Sequence, residues 1–486
     1  MARNNRRRID RIEVAANDTT IVGHAGLASF IQWAEHRAVF QLAAARLPGP
    51  GSNGYAVEDL LKTLWAALLL RGRRTVLQTI DDLRQNSGVV AILGMTSMPS
   101  ACTMADWLRR LGNVELRHNG DQPALGGWPD GLTCTQNYFY EMTTHILRAL
   151  AATLSGTLDF DAMLIEEQKK YSQTSYTGER GSMGYFAFVD NVCVMAEVEP
   201  GNHSPKDNVA ARVTSCLDVC DIAGKHIKAM RQDSAGYTAE TVNVCAARHV
   251  HFFIRAPYDY VTESVRAIPA NDWTAYELGM AHEHTRTAVL AETAHAMNKS
   301  KNGFRLVVER RQETIEDIHE DAGLLISVPR VVTRYWSVAT NDHTIPLAAA
   351  LAFYNQRQGA SEHGNDHLKN DVAIGALPCR GEDGLPANRV YTYFCALLHN
   401  LYEWYKHDCL PPEDKPMRLP TFIQRDLALA ARVTLTAHTL TITLANYACA
   451  AAEALQRRLD RIRRKIKRIR IPLIAPAFAP LIHRRI

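Results

Sequence analysis

Two stretches of this chain carry acids where an ordinary core would exclude them. Leu158-Asp159-Phe160-Asp161-Ala162-Met163-Leu164-Ile165 alternates like a half-buried strand, yet two carboxylates sit inside it. A buried carboxylate is costly without a partner, so these acids are expected to have a task. Period two puts Asp159 and Asp161 on one face and leaves the choice between them open. Asp233 follows a second apolar run, His226 to Met230. A third stretch, YNQRQGASEHGNDHLK from Tyr354 to Lys369, gathers an aromatic ring, Arg357, Glu362 and Lys369. Two close carboxylates repel unless a cation lies between them, and oxygen-only ligands with open positions suit Mg²⁺, or Mn²⁺ in its place. Three acids can hold two such ions about 3.5–4 Å apart, the arrangement for in-line displacement at a phosphodiester.

The elements that must position these groups begin at Gly156, where helical periodicity gives way to period two. Strands are expected at Leu158–Ile165, Tyr185–Val189 and Val192–Glu197, with an Asp190-Asn191 hairpin turn between the last two. Asn208–Ala223 reads as an amphipathic helix, His226–Met230 as a strand, Thr238–Arg248 as a helix and Val250–Ile254 as a strand. Three strands, helix, strand, helix, strand is the order of an α/β ribonuclease H-like core. In that order the first and fourth strands are neighbours, which would bring an acid of the first strand beside Asp233. Each acid also has a plainer role open to it: Asp233 could cap the turn that follows, and Asp159 or Asp161 could be an edge residue.

The expected organisation is a helical DNA-binding region at 1–150, the first part of the core at 151–258 and a strand-rich insertion at 259–343. The second part of the core follows at 344–405, and a helical region with a basic tail at 406–486. Val57–Leu70 reads as a buried helix and Tyr138–Leu154 as another. A helix-break-helix pattern ends in Arg109 and Arg110, the order of a helix-turn-helix reader of DNA. Within the insertion, Phe304–Glu309 and Arg334–Ala339 read as strands and Ala281–Ala296 as helix.

Composition narrows the partners. The chain has 486 residues and a formal net charge of only +4, but Gln456–Arg470, QRRLDRIRRKIKRIR, concentrates its cations, with Leu459, Ile462, Ile466 and Ile469 at helical spacing. Such a basic amphipathic helix suits phosphate backbones, with Arg463, Arg464 and Lys467 as contacts. The ten cysteines include no CxxC pair, which points to reduced cytoplasmic thiols. No apolar run approaches the roughly 18–20 residues of a spanning helix, and the basic start lacks the apolar segment of a secretory signal.

Several ordered segments carry a family resemblance. HAGLASF (24–30), MPSACTMADWLRRLG (98–112), LDFDAM (158–163), MRQDSAGYTAE (230–240), YWSVATN (335–341), FYNQRQGASEH (353–363) and ANRVYTYFCALLHNLY (387–402) resemble bacterial DDE transposases of the insertion-sequence-1380 family, a group with a Y-x2-R-x3-E-x6-K signature. The resemblance implies a transposase that binds the terminal inverted repeats of its own mobile element, cleaves at the ends and joins the 3′-hydroxyls to target DNA. It also implies a homodimer with DNA and a place on the bacterial nucleoid. Asp161, Asp233 and Glu362 become the catalytic, metal-binding acids, with Tyr354, Arg357 and Lys369 as DNA contacts. Three departures stand out: Met163 replaces a hydroxyl residue, Glu199-Pro200 replaces a common arginine before Gly201, and four residues, not three, separate Arg357 from Glu362. A helix starting after Gly359 would absorb the extra residue and keep Glu362 and Lys369 on one face. Asp366 is the fallback acid. Two other outcomes fit the departures: a catalytically inactive DNA-binding descendant, or a related metal-dependent nuclease.

Overall fold

The computed structural model describes residues 20–50, 54–112, 131–276, 285–321, 324–436, 439–444, 449–467 and 469, with the backbone alone at 285–287, 317–321, 324–328 and 358–363.

A short strand β1 (Ile21–Val22) leads into helices α1 (Leu27–His36), α2 (Val39–Arg46), α3 (Val57–Leu70), α4 (Val76–Leu83), α5 (Ser87–Ile92), α6 (Ala101–Gly112) and α7 (Gly131–Leu150). α3 has the span its apolar run predicts, and Thr75 closes a capping box at the start of α4. These helices wrap α12 (Gly384–Cys409), which is buried along nearly its whole length. Trp107 of α6 stacks on Phe394 at 5.4 Å, and Trp65 Nε1 donates to the Phe394 carbonyl at 3.2 Å. Trp33 Nε1 donates to Asp408 at 2.9 Å. Losing a ring of this kind costs about 3–5 kcal/mol, so the helical region and the centre of the molecule share one core.

The central sheet is built from β2 (Thr157–Glu166), β3 (Gln173–Thr174), β4 (Arg180–Val189), β5 (Val192–Pro200), β6 (Ala229–Gln232) and β7 (His251–Ala256). Helices α8 (Val209–Ile222) and α9 (Ala239–Ala247) connect them. β2 lies between β4, antiparallel, and β6, parallel; β6 in turn pairs parallel with β7. The expected adjacency of the first and fourth core strands is therefore present.

Past α10 (Tyr258–Arg266), the insertion is strand-rich as expected but departs from its expectation at one element. Thr285–His295 is strand β9, not helix; its TRTAVLAETAH alternates, and it pairs with β10 (Phe304–Asp321). With β8 (Thr274–Ala275) and β11 (Leu324–Thr340), these strands continue the central sheet in the order β7-β11-β10-β9-β8. β11 joins β7 through Ser337–Thr340.

The C-terminal region is not wholly helical either. After α13 (Leu419–Phe422), β12 (Ala431–Thr436) and β13 (Thr439–Leu444) form a hairpin whose first strand pairs with β1. RVTLT and TLTITL alternate with period two, the signal a helical reading overlooks. The final helix α14 (Cys449–Lys465) packs on α1, burying Leu455, Ile462 and Ile466. Its Arg458 pairs with Asp426. All ten cysteines are free thiols. No helix among the described residues is long and apolar enough to cross a membrane.

Candidate active site

The strand pair β2 and β6 gives the two acids of the alternating run different surroundings. Asp159 is opposite Arg231 in the parallel ladder, which ends at Phe160 and Gln232; Asp161 follows within β2 and Asp233 immediately after β6. Asp159 is 1% exposed, and its two oxygens accept from Arg231 Nε and Nη2, each at 2.7 Å. Burial pushes its carboxyl up, and Arg231 opposes the rise. Both oxygens are thus spent on one guanidinium, a bidentate bond that leaves little for a ligand. Asp161, two residues nearer the strand end, keeps 17% of its side chain exposed.

Asp233 caps the short turn Ser234–Gly236 by accepting from Ala235 N at 2.9 Å, the plainer role open to it. One carboxylate oxygen satisfies that cap. Burial pushes the Asp161 carboxyl up to about 6; the Arg357 guanidinium opposes the rise and the Asp233 carboxylate adds to it. The two acids therefore feel one another. A divalent cation would relieve both the burial and the repulsion, and two carboxylates are hard oxygen donors of the kind such an ion takes. Among the described residues no group of three His, Cys, Asp or Glu side chains converges to hold a metal.

Comparison with known proteins places this pair in context. The family described as "Transposase DDE domain group 1" matches residues 5–467. The chain belongs to this family of DDE transposases. No curated protein matches it. Among solved structures, the cryo-EM structure of the piggyBac transposase synaptic complex with hairpin DNA is similar with a TM-score of 0.42 and 10% sequence identity, over 90% of this chain and 82% of that one.

In this DDE transposase chain the expected third acid lies on α11 (Leu347–Asp366), whose course differs from its expectation. The helix runs unbroken through Gly359, so the expected helix start after that residue is absent. A π-helical turn, His367–Asp371, follows directly, with Val372 N bonded to His367 O at 3.2 Å. At about 100° per residue, positions 361 and 365 fall within about 20° of Tyr354, whereas position 362 lies about 80° round. Position 362 could stay in line with the site only if the helix broke at Gly359, and without that break the expectation for Glu362 loses its support. Asp366, the fallback, turns away to Arg418 at 2.6 Å.

The first half of α11 rests on an apolar patch of Phe253, Val307, Val338 and Leu351. Tyr354 belongs to this patch and is only 6% exposed, so its ring packs the helix to the sheet and offers no open face to a base. Arg357, one turn on, reaches Asp161 at 3.5 Å. Lower down, Gly364 brings the backbone against Phe188: a Cβ there would lie 2.9 Å from the ring. That close approach lets Asn365 Nδ2 donate to Asp161 at 3.0 Å.

Sequence reasoning missed two members of this arrangement. Arg231 immediately precedes the Gln-Asp pair and also donates to the Phe353 carbonyl at 2.9 Å, tying sheet to helix. Asn365 was legible only as helical spacing, eleven positions after Tyr354 on an unbroken helix. Of the expected DNA contacts, Lys369 is exposed on the π-turn, and Arg463, Arg464 and Lys467 are exposed at the end of α14. Arg109 instead faces Asp106 at 3.4 Å and Asp383 at 3.5 Å, and Arg110 donates to the Pro50 carbonyl at 2.7 Å. These two arginines brace α6 against its neighbours.

Proposed function

We propose that the chain is the transposase of an insertion sequence of the 1380 family, acting through a ribonuclease H-like core. It binds the terminal inverted repeats as a homodimer, cuts the DNA at the element's ends and joins the freed 3′-hydroxyls to target DNA. The observation that carries this reading is Asp161 within β2 and Asp233 immediately past the parallel neighbour β6, with the Asp233 charge felt at Asp161, in a chain of the DDE family.

In the mechanism, Asp161 within β2 and Asp233 just past β6 would hold Mg²⁺ through carboxylate oxygens, with Mn²⁺ able to substitute. When bound, the metal supplies positive charge against the scissile phosphate and the leaving oxygen. Arg357, planar and permanently charged, offsets the carboxylates and puts a positive charge where a phosphate would approach. Water attack breaks the P–O3′ bond at the element's end; the released 3′-hydroxyl then attacks a target phosphodiester, displacing a target 3′-oxygen. Lys369 and the exposed arginines of α14 contact backbone phosphates and hold the duplex in register, contributing affinity more than sequence choice.

The test is incubation of the full chain with Mg²⁺ and DNA carrying the element's terminal repeats. End-specific nicking followed by joining supports the reading, and Asp161→Asn or Asp233→Asn should remove both while leaving end binding. Nicking without joining would identify a nuclease. The unbroken α11 favours one alternative, an inactive DNA-binding descendant, which would bind ends without nicking them.

A further inference from the structure

Resting on the reading of the chain as a metal-dependent transposase, we propose that Asn365 supplies the third protein ligand of the cation site through its carboxamide oxygen, beside Asp161 and Asp233. Four observations converge on this side chain. It lies on the face of α11 that carries Tyr354, within about 20° on an unbroken helix. Its amide touches Asp161 directly, with Nδ2 at 3.0 Å from Oδ2. It is buried, at 9% exposure, yet its Oδ1 accepts no hydrogen bond. Its neighbour Gly364 lies against Phe188, so the backbone there is as close to the sheet as packing allows.

A buried amide oxygen without a donor is a cost of about 1–3 kcal/mol unless something else uses it. Oxygen and nitrogen of a carboxamide exchange places by rotation about the last side-chain bond. Without a cation, the NH₂ group faces Asp161 and neutralises part of its charge. With one, the rotated amide turns its oxygen to the metal, and amide oxygens are ordinary ligands of hard divalent ions. The same rotation removes the orphaned acceptor and keeps the side chain in place. Two carboxylates and an amide carry one negative charge fewer than three carboxylates. Arg357 lowers the local negative charge further. The site is therefore a weak one in the protein alone, and the scissile phosphate completes it.

The experiment is a Mn²⁺ titration of the full-length protein followed by electron paramagnetic resonance, on wild type, Asn365→Ala, Asn365→Asp, Glu362→Gln and Asp161→Asn. Asn365→Ala should weaken binding by about tenfold or more, and Asn365→Asp should strengthen it, because ligand charge sets affinity at such sites. Glu362→Gln should bind within about twofold of wild type. Normal binding by both Asn365 variants, with weakened binding in Glu362→Gln, would overturn the assignment while leaving the metal-enzyme reading intact. Wild-type binding that is absent or indifferent to Asp161→Asn would overturn both. If Asn365→Ala does not fold, the near-isosteric Asn365→Asp decides alone: tighter binding supports the ligand role, and unchanged binding defeats it.

Discussion

Asp159 and Arg231 form a bidentate pair, two bonds of 2.7 Å, and each stands two positions before Asp161 and Asp233 respectively in the chain. The pair divides labour between two aspartates that the alternating run cannot tell apart. Removing one partner of a buried pair strands the other, at about 3–5 kcal/mol. Asp159→Ala should thus lower the thermal midpoint sharply and loosen the anchor that Arg231 makes to α11 at Phe353. Asp161→Asn should leave the midpoint unchanged or raise it, because it removes a partly buried charge that Asp233 repels. Calorimetry on the two variants, with end cleavage measured in parallel, separates the roles. Equal destabilisation by both would defeat the division.

Gly364 sets how closely α11 approaches β4. Gly364→Val should force its side chain into the Phe188 ring, costing about 1–3 kcal/mol by overpacking. Cleavage should fall more than end binding, because Arg357 and Asn365 reach Asp161 from this helix. Pairing it with Phe188→Ala should restore part of both stability and activity. A double variant no better than the single one would show that this close approach does not position the helix.

His399 of α12 is buried, bonds the Asn191 carbonyl at 2.8 Å, and is pushed down to about 4 by that burial. Its folded value lies below the ordinary 6.5, so the unfolded chain takes up the proton first as pH falls. Stability is full above about pH 6.5 and is lost as pH drops toward 4, by on the order of 3 kcal/mol from this group. His399→Gln should flatten the dependence of urea midpoint on pH between those values. The same slope in the variant would rule the group out.

The basic helix α14 has two faces with different duties. Leu455, Ile462 and Ile466 are buried and Arg458 pairs with Asp426, so truncating this helix would damage the fold as well as any grip on DNA. Charge reversal on its exposed face, Arg463→Glu with Arg464→Glu, isolates the second duty. The slope of log affinity against log salt should flatten by about 0.9 for each DNA phosphate that an arginine no longer neutralises, with the thermal midpoint unchanged. An unchanged slope would place the DNA elsewhere.

The core strands were legible because period two and turn chemistry are local. Leu158–Ile165 and the Asp190-Asn191 hairpin are both found where expected. Strand β9 was misread because its short alternation competes with helix-forming alanines, and pairing with β10 decides the outcome. The β12–β13 hairpin was missed because the neighbouring basic helix dominated the reading of the C-terminal region. At the site, element order set an acid of the first strand beside Asp233, and only the family resemblance chose Asp161 over Asp159. Asn365 could not be inferred, since its role depends on whether Gly359 breaks the helix. Glycine permits a break but does not impose one, and here the apolar packing of Tyr354 and Leu351 on one side and Leu368 on the other holds the helix continuous.

A helix that receives one surplus residue slips in phase by about 100° from that point on, and everything beyond it would face the wrong way. The π-turn at His367–Asp371 takes up that slip, since each wide turn holds about one residue more than an α-turn. Leu368 and Val372 thereby reach the core, and Asp371 meets Arg418 at 3.0 Å. The phase error is confined between Arg357 and the π-turn, like a dislocation pinned between two ordered stretches. Deleting one residue inside that window, such as Ala360, would remove the reason for the wide turn and carry position 362 round to where 361 now stands. The length of the helix thus sets which of its positions, 361 or 362, shares the face of Tyr354.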